Sequence, residues 1–145
     1  MISFTELTQQ NHKIAELSKV LSHIIKDREI CDTDVTCDLF FDFVSRVQEH
    51  LDVEDREIYQ ALLTHQENRV KNTANRFLSG SAEIKRVFKQ YLRRWCNQKS
   101  LRIKNHGQFV QETNDMFDLV LQRIQDETEH LYPIVKEVKW EKQAA

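Results

Sequence analysis

The stretch QEHLDVEDREIYQALL, from Gln48 to Leu63, is the part of this sequence that decides the fold. At about 100° per residue it lies on a helix whose apolar stripe also contains two ionisable residues, His50 and Glu54. The apolar members of that stripe are Phe40, Phe43, Val44, Val47, Leu51, Ile58 and Leu62. Burying ionisable groups without partners is costly or changes their charge state. The rest of the chain must therefore supply polar partners, a metal ion, or both.

Length and composition predict one all-α domain. The 145 residues suit a single domain, residues 1–145, with one sizeable core. Only two glycines and one proline are present, and the charged fraction of 30% beside 40% hydrophobic residues is typical of helical proteins. These features leave few turn or strand boundaries, so helices should dominate.

The charge balance argues against nucleic-acid and membrane partners. The formal net charge is −2, which gives no overall field for a polyanion or an anionic bilayer. The apolar runs are short, and the first ten residues lack the basic and apolar parts of a signal peptide. We therefore expect a cytoplasmic protein. The three cysteines, Cys31, Cys37 and Cys96, include no CxxC pair and predict reduced thiols, with a Cys31–Cys37 redox switch as the alternative.

Apolar periodicity predicts four long helices. Their ranges are 5–26, 35–65, 69–96 and 106–138. Ser3 followed by Glu6 is a capping-box signature at the first of them. Weak helix formers around Gly80 predict a break in the third helix, and Pro133 predicts a kink late in the fourth. Four long helices with short links favour an up-down-up-down four-helix bundle.

An internal repeat is visible when Tyr59 is aligned with Tyr132. Residues 50–60 then align with residues 123–133, which places Glu54 opposite Glu127. Ile14, Leu17 and Leu21 align in the same way with Ile84, Val87 and Tyr91. The chain is thus predicted to contain two pseudo-repeated helical hairpins, with both glutamates at one level of the bundle.

These repeat ends resemble a known family. His50-x-x-x-Glu54 followed by Glu-Ile-Tyr, and Glu127 followed by Leu-Tyr-Pro, are similar to the hemerythrin-like, HHE cation-binding proteins. The resemblance implies a four-helix bundle that holds non-haem iron through histidines and bridging carboxylates. The implied roles are oxygen binding, oxygen sensing, iron handling or signalling.

The ligand set implied by the resemblance is reduced in this chain. His50 and Glu54 match the family's ligands on the second helix, and Glu127 matches the carboxylate on the fourth. The remaining ligand positions fall on other residue types: Asn11 on the first helix, Phe77 and Ser81 on the third, and Arg123 on the fourth.

Two predictions for the centre remain open. His50, Glu54 and Glu127 can bind one divalent ion, iron, manganese or zinc, with Asn11, water or a displaced His12 completing its shell. Alternatively, the fixed charge of Arg123 pairs with Glu54 or Glu127 and leaves a metal-free polar core. The metal-free core is the preferred prediction.

Two functions follow, neither of them enzymatic. The first is a sensing or regulatory module with one metal ion. The second is a metal-free regulatory bundle that binds a protein partner. Phe-Asp-Phe-Val-Ser-Arg-Val-Gln-Glu-His-Leu (residues 41–51, beginning at Phe41) and Arg-Ile-Gln-Asp-Glu (residues 123–127) resemble the Rsd/AlgQ anti-sigma regulators, which implies a sigma factor as that partner. The sequence contains no glycine-rich phosphate loop or nucleophile elbow, and it leaves the oligomeric state open.

Overall fold

The computed structural model describes residues 3–98 and 100–144, with side chains as far as residue 138. The described elements are α1 (Phe4–Ile24), α2 (Arg28–Cys31), α3 (Asp34–Glu57), α4 (Tyr59–Leu63), α5 (Asn68–Trp95), β1 (Cys96–Asn97), β2 (Ser100–Leu101), α6 (His106–Asp126), a π-helical turn (Glu127–Leu131) and α7 (Tyr132–Ala144). The predicted all-α class is confirmed. In the part of the chain with described structure, no helix is both long and apolar enough to cross a membrane.

The long helices pack against one another, and α1, α3 and α6 begin at side-chain caps. Helix α1 packs against α3 and α6, and α5 packs against α3, α4 and α6. Ser3 accepts a hydrogen bond from the backbone N–H of Glu6, so the N-cap half of the predicted capping box is present at the start of α1. Thr33 and Asn105 cap α3 and α6 in the same way. The antiparallel pair β1–β2 only links α5 to the segment before α6.

Buried apolar side chains form two separate clusters. The larger one contains Ile14, Leu17, Leu21, Ile25, Cys31, Phe40, Phe43, Val44, Val47, Leu51, Ile84, Phe88, Tyr91, Trp95, Phe109, Met116, Phe117 and Val120. The smaller one contains Leu7, Val53, Ile58, Tyr59, Leu62, Val70, Ala74, Phe77, Leu131, Tyr132, Ile134, Val135 and Val138. Aromatic edge contacts such as Phe43 with Phe117, at a centroid distance of 5.0 Å, fill the larger cluster.

A polar layer separates the two clusters. Along each long helical segment the apolar residues change from one cluster to the other near a buried polar side chain. The members of this polar layer are Asn11 on α1, His50 and Glu54 on α3, Ser81 on α5, Arg123 on α6 and Glu127 on the π-helical turn. His50 and Glu54 therefore lie inside the protein, as their position on the apolar stripe predicted.

The second predicted helix, 35–65, is not continuous. Helix α3 ends at Glu57, and Ile58, with φ −103° and ψ −52°, separates it from α4. The preceding residues 28–31 were predicted to lie outside any helix, but they form α2 because Asp27 accepts hydrogen bonds from the N–H groups of Glu29 and Ile30.

The fourth predicted helix, 106–138, is interrupted before the expected kink at Pro133. The π-helical turn spans Glu127–Leu131, and the N–H of Tyr132 donates to the carbonyl of Glu127. A proline ring clashes with the carbonyl four residues earlier in a regular helix. The interruption therefore lies just before the proline, and α7 continues beyond Val138 to Ala144.

The predicted break at Gly80 is absent, because α5 runs unbroken from Asn68 to Trp95. The glycine has a packing role instead. A Cβ atom at Gly80 would lie 2.8 Å from the NH1 atom of Arg123, closer than side-chain atoms normally approach. The missing side chain leaves room for the buried guanidinium group.

The Gly80→Ala substitution should therefore lower the free energy of unfolding by about 1–3 kcal/mol through overpacking, although alanine favours a helix over glycine by about 1 kcal/mol. Gly107→Ala is the matched control, because a Cβ there makes only an ordinary contact of 3.7 Å. We expect that variant to be neutral or stabilised in urea denaturation. Equal stabilisation of both variants would contradict the packing role of Gly80.

Candidate functional site

The polar layer brings together the three residues predicted as metal ligands. One ligand atom from each of His50, Glu54 and Glu127 lies within 4.8 Å of the other two. His50 Nε2 is 3.1 Å from Glu127 Oε2 and 3.4 Å from Glu54 Oε1. His50 and Glu54 are one helical turn apart on α3, so both project to the same side, and the π-helical turn supplies Glu127. All three side chains are buried.

The His50 ring is held in one orientation by a residue that the sequence did not identify. Nδ1 of His50 lies 2.7 Å from Oε1 of Gln10 on α1. An amide oxygen only accepts, so Nδ1 donates, and Nε2 is the ring nitrogen that faces the two glutamates. This arrangement is typical of histidines that bind metal ions, whose second nitrogen donates to an oxygen.

Arg123 occupies the other side of Glu127. Its Nε donates to Glu127 Oε1 at 2.9 Å, NH1 donates to the backbone carbonyl of Phe77 at 2.8 Å, and NH2 donates to the Tyr59 hydroxyl at 2.5 Å. The guanidinium carbon also lies 4.9 Å from the centroid of the Phe77 ring. Of the two predicted pairings for Arg123, the structure shows the hydrogen-bonded ion pair with Glu127.

Tyr132 joins the two glutamates. Its hydroxyl lies 3.0 Å from Glu127 Oε2 and 3.3 Å from Glu54 Oε2, and it accepts from Asn11 Nδ2 at 2.9 Å. A phenol has one proton and donates fully to only one of these carboxyl groups. His12, a predicted alternative ligand, is exposed and lies outside the site.

Two buried acceptor atoms in the layer have no hydrogen-bond partner among the described residues. They are Asn11 Oδ1 and Glu54 Oε1. Buried polar atoms are rarely left unpaired, and each such atom in a native structure needs an explanation. Asn11 Oδ1 only accepts, and so does Glu54 Oε1 when Glu54 is ionised, so the group that completes them must then be a cation or a hydrogen-bond donor.

The two glutamates carry different charges. Burial raises the pKa of Glu54 well above its ordinary value, and the charge of Glu127 raises it further. Burial would also raise the pKa of Glu127, but hydrogen bonds with His50 and Glu54 and the charge of Arg123 lower that pKa to about 2. Without a metal, Glu54 therefore holds a proton, and the negative charge of Glu127 balances Arg123.

Two of the three separations between donor atoms match those around a metal ion. With metal–ligand bonds of about 2.1 Å, neighbouring ligand atoms are about 3.0 Å apart in an octahedral site and about 3.4 Å apart in a tetrahedral one. The two distances from His50 Nε2, 3.1 Å and 3.4 Å, lie in this range. These residues fit one divalent ion that takes the place of the proton on Glu54.

The cysteines do not form a second site of this kind. Cys31, Cys37 and Cys96 are free thiols in the structure. Burial raises the pKa of Cys31 to about 11 and that of Cys96 to about 12, so both remain protonated and poorly nucleophilic. These thiols give the Cys31–Cys37 redox alternative no support.

Comparison with known proteins adds nothing further, since no family model, curated protein or solved structure matches this chain. The hemerythrin-like and Rsd/AlgQ resemblances stay predictions.

The metal-free protein should become more stable when Glu54 is replaced by Gln. Burial holds a proton on Glu54 in the folded state, whereas the unfolded chain loses it above the ordinary pKa of 4.5. Stability is therefore lost as pH rises above that value, by up to about 1.4 kcal/mol per pH unit. Gln resembles the protonated acid and does not titrate, so the advantage of Glu54→Gln should grow from pH 5 to pH 8.

Urea denaturation in the presence of a chelator, repeated across this pH range, measures the effect. Glu49→Gln is the control, because Glu49 is exposed on the same helix. A Glu54→Gln protein that is less stable than the parent at every pH would show that Glu54 is ionised and paired in the folded state.

Replacement of Arg123 by Ala should destabilise the protein by about 3–5 kcal/mol, because it leaves the buried charge of Glu127 without a partner. The space created is lined by Glu127 Oε1, the Phe77 carbonyl and the Tyr59 hydroxyl, so millimolar methylguanidinium should restore part of the loss. Thermal unfolding with and without methylguanidinium measures this rescue.

Arg76→Ala is the control for this experiment. Arg76 also lies over the Phe77 ring, at 5.0 Å, but it is exposed. We expect a smaller loss there and no response to methylguanidinium. The same response in both variants would contradict a specific guanidinium site at Arg123.

Proposed function

We propose that this protein is a sensing or regulatory module that binds one divalent metal ion, iron, manganese or zinc, through His50, Glu54 and Glu127. The observation that carries the proposal is the buried Glu54 Oε1, an acceptor without a hydrogen-bond partner that faces His50 Nε2 at 3.4 Å. Imidazole and carboxylate ligands together suit these three metals. Asn11 Oδ1 is the other unpaired acceptor, and it is the side-chain atom best suited to be a further oxygen ligand of that ion.

The charges explain why one ion is proposed and not two. A divalent ion would replace the proton of Glu54 and meet two carboxylates, while Arg123 already supplies one fixed positive charge beside Glu127. A second divalent ion near Glu127 would have to share that carboxylate with the guanidinium group. Arg123 thus takes the role that another cation would have in a two-metal centre.

The same proposal includes a hemerythrin-like, up-down-up-down bundle made of α1, α3, α5 and α6 with α7. Two observations support it. The polar layer crosses all four segments at one level between the apolar clusters. The helix interruptions at Ile58 and at Glu127–Leu131 each come immediately before a tyrosine, Tyr59 or Tyr132, which are the two residues that the repeat aligns. Metal occupancy would act as the signal by stabilising the folded layer.

A metal-free regulatory bundle that binds a protein partner is the second candidate. It is favoured by the charges of the layer, in which Arg123 pairs with Glu127 and burial favours the neutral acid at Glu54. The bacterial sigma factor proposed as its partner rests on the Rsd/AlgQ resemblance alone.

Metal analysis separates the two candidates. The protein would be purified after aerobic and after anaerobic expression, and iron, manganese and zinc would be measured before and after titration with each metal. We expect about one equivalent in the parent and in Glu49→Gln, and loss of binding in Glu54→Gln, because Gln lacks the second ligand charge. Less than about a tenth of an equivalent under every condition would favour the metal-free candidate.

A further inference from the structure

A surface cleft between α5 and α6 shares a residue with the polar layer. Its volume is about 500 Å³, which is in the range of small-molecule sites. Arg123 and Gly80 line it, and so do the apolar side chains of Phe77, Ile84 and Leu119. The glycine that makes room for the guanidinium group therefore also opens the cleft beside it.

Arg123 has hydrogen-bonding capacity to spare. A guanidinium group carries five N–H donors. Three of them are used, by Glu127, the Phe77 carbonyl and the Tyr59 hydroxyl, and within the described part of the chain the other two have no acceptor. Arg123 as a whole is only 8% exposed, and it is one of the residues that line the cleft. A buried donor pair beside a cleft favours a ligand that accepts hydrogen bonds.

The charge around the cleft favours an anion. Arg76 also lines it, and among the residues with described side chains it makes no ion pair, only a contact with the Phe77 ring. The two acidic residues of the lining are already engaged: Glu83 accepts two hydrogen bonds from Arg86, and Asp126 accepts one from Gln122. Glu127 balances the charge of Arg123, so Arg76 supplies the unpaired positive charge and Arg123 supplies spare N–H donors. Together with the apolar walls they suit a ligand with one anionic end and one apolar end.

We propose that this cleft binds a small monocarboxylate with an apolar body. The carboxylate is held by Arg123 and Arg76, because a guanidinium group matches the geometry of a carboxylate. The apolar body packs against Phe77, Ile84 and Leu119. The site does not need a metal ion in the polar layer. A failure of the metal proposal would therefore leave this proposal unaffected, and the reverse is also true.

The test uses the full chain, kept free of metal by a chelator, and two probes of nearly the same shape, one anionic and one neutral. Phenylacetate should shift the backbone amide signals of Phe77, Gly80 and Leu119 in a saturable NMR titration. Phenylacetamide, which is neutral, should bind at least about tenfold more weakly. Equal binding of the two probes, or no saturable shifts with phenylacetate, would overturn the proposal.

Two matched variants locate the effect without disturbing Arg123. Gln122 and Gln125 lie on α6, and each donates a hydrogen bond to a carboxylate four residues later, but only Gln122 lines the cleft. Gln122→Glu should weaken phenylacetate binding several-fold by charge repulsion, and Gln125→Glu should leave it unchanged. Equal weakening by both variants would show that overall charge, and not this cleft, governs binding.

Discussion

The buried ion pair between Arg123 and Glu127 is the interaction on which the centre of this protein depends. A carboxylate without solvent is tolerated only when a partner of opposite charge and good hydrogen bonds replace the water. Arg123 meets that requirement, and the chain makes room for it through Gly80 and offers it the carbonyl of Phe77 and the hydroxyl of Tyr59. With Glu127 held in this way, Glu54 can lie beside it as a neutral acid.

The ion pair also limits what the layer can hold. One carboxylate oxygen of Glu127 accepts a hydrogen bond from Arg123, and the other lies within hydrogen-bond distance of His50 and Tyr132. Glu54 has one oxygen without any partner. A metal-bound form of the layer would therefore differ from the metal-free form by little more than the exchange of a proton for a cation. The two candidate functions share one architecture for this reason.

Apolar periodicity predicted the long helices and the burial of His50 and Glu54 because both depend on helix geometry alone. The repeat placed Glu127 at the same level for a similar reason. The interruption at Ile58 and the π-helical turn were missed, since a change of backbone hydrogen bonding leaves no clear pattern in side chains.

The role of Gly80 was misread for a related reason, because helix propensity suggests a break where tertiary packing needs space. Gln10 was missed because a lone glutamine on a half-exposed helix position carries no pattern. Only the position of the His50 ring, on another helix, gives that amide oxygen its role. Residues that act through a neighbour on a distant segment are in general hard to find from sequence.

The polar layer has a further consequence for the way this molecule moves. It divides the buried apolar side chains into two clusters. The long helices contribute residues to both clusters, but the clusters stay separate. Stability in proteins is distributed over cooperative units that open with different free energies. The smaller cluster, which holds the π-helical turn and α7, is a natural unit to open while the larger one stays closed. A fluctuation of that kind would expose the layer from one end and give ions and protons a route to the centre of the protein.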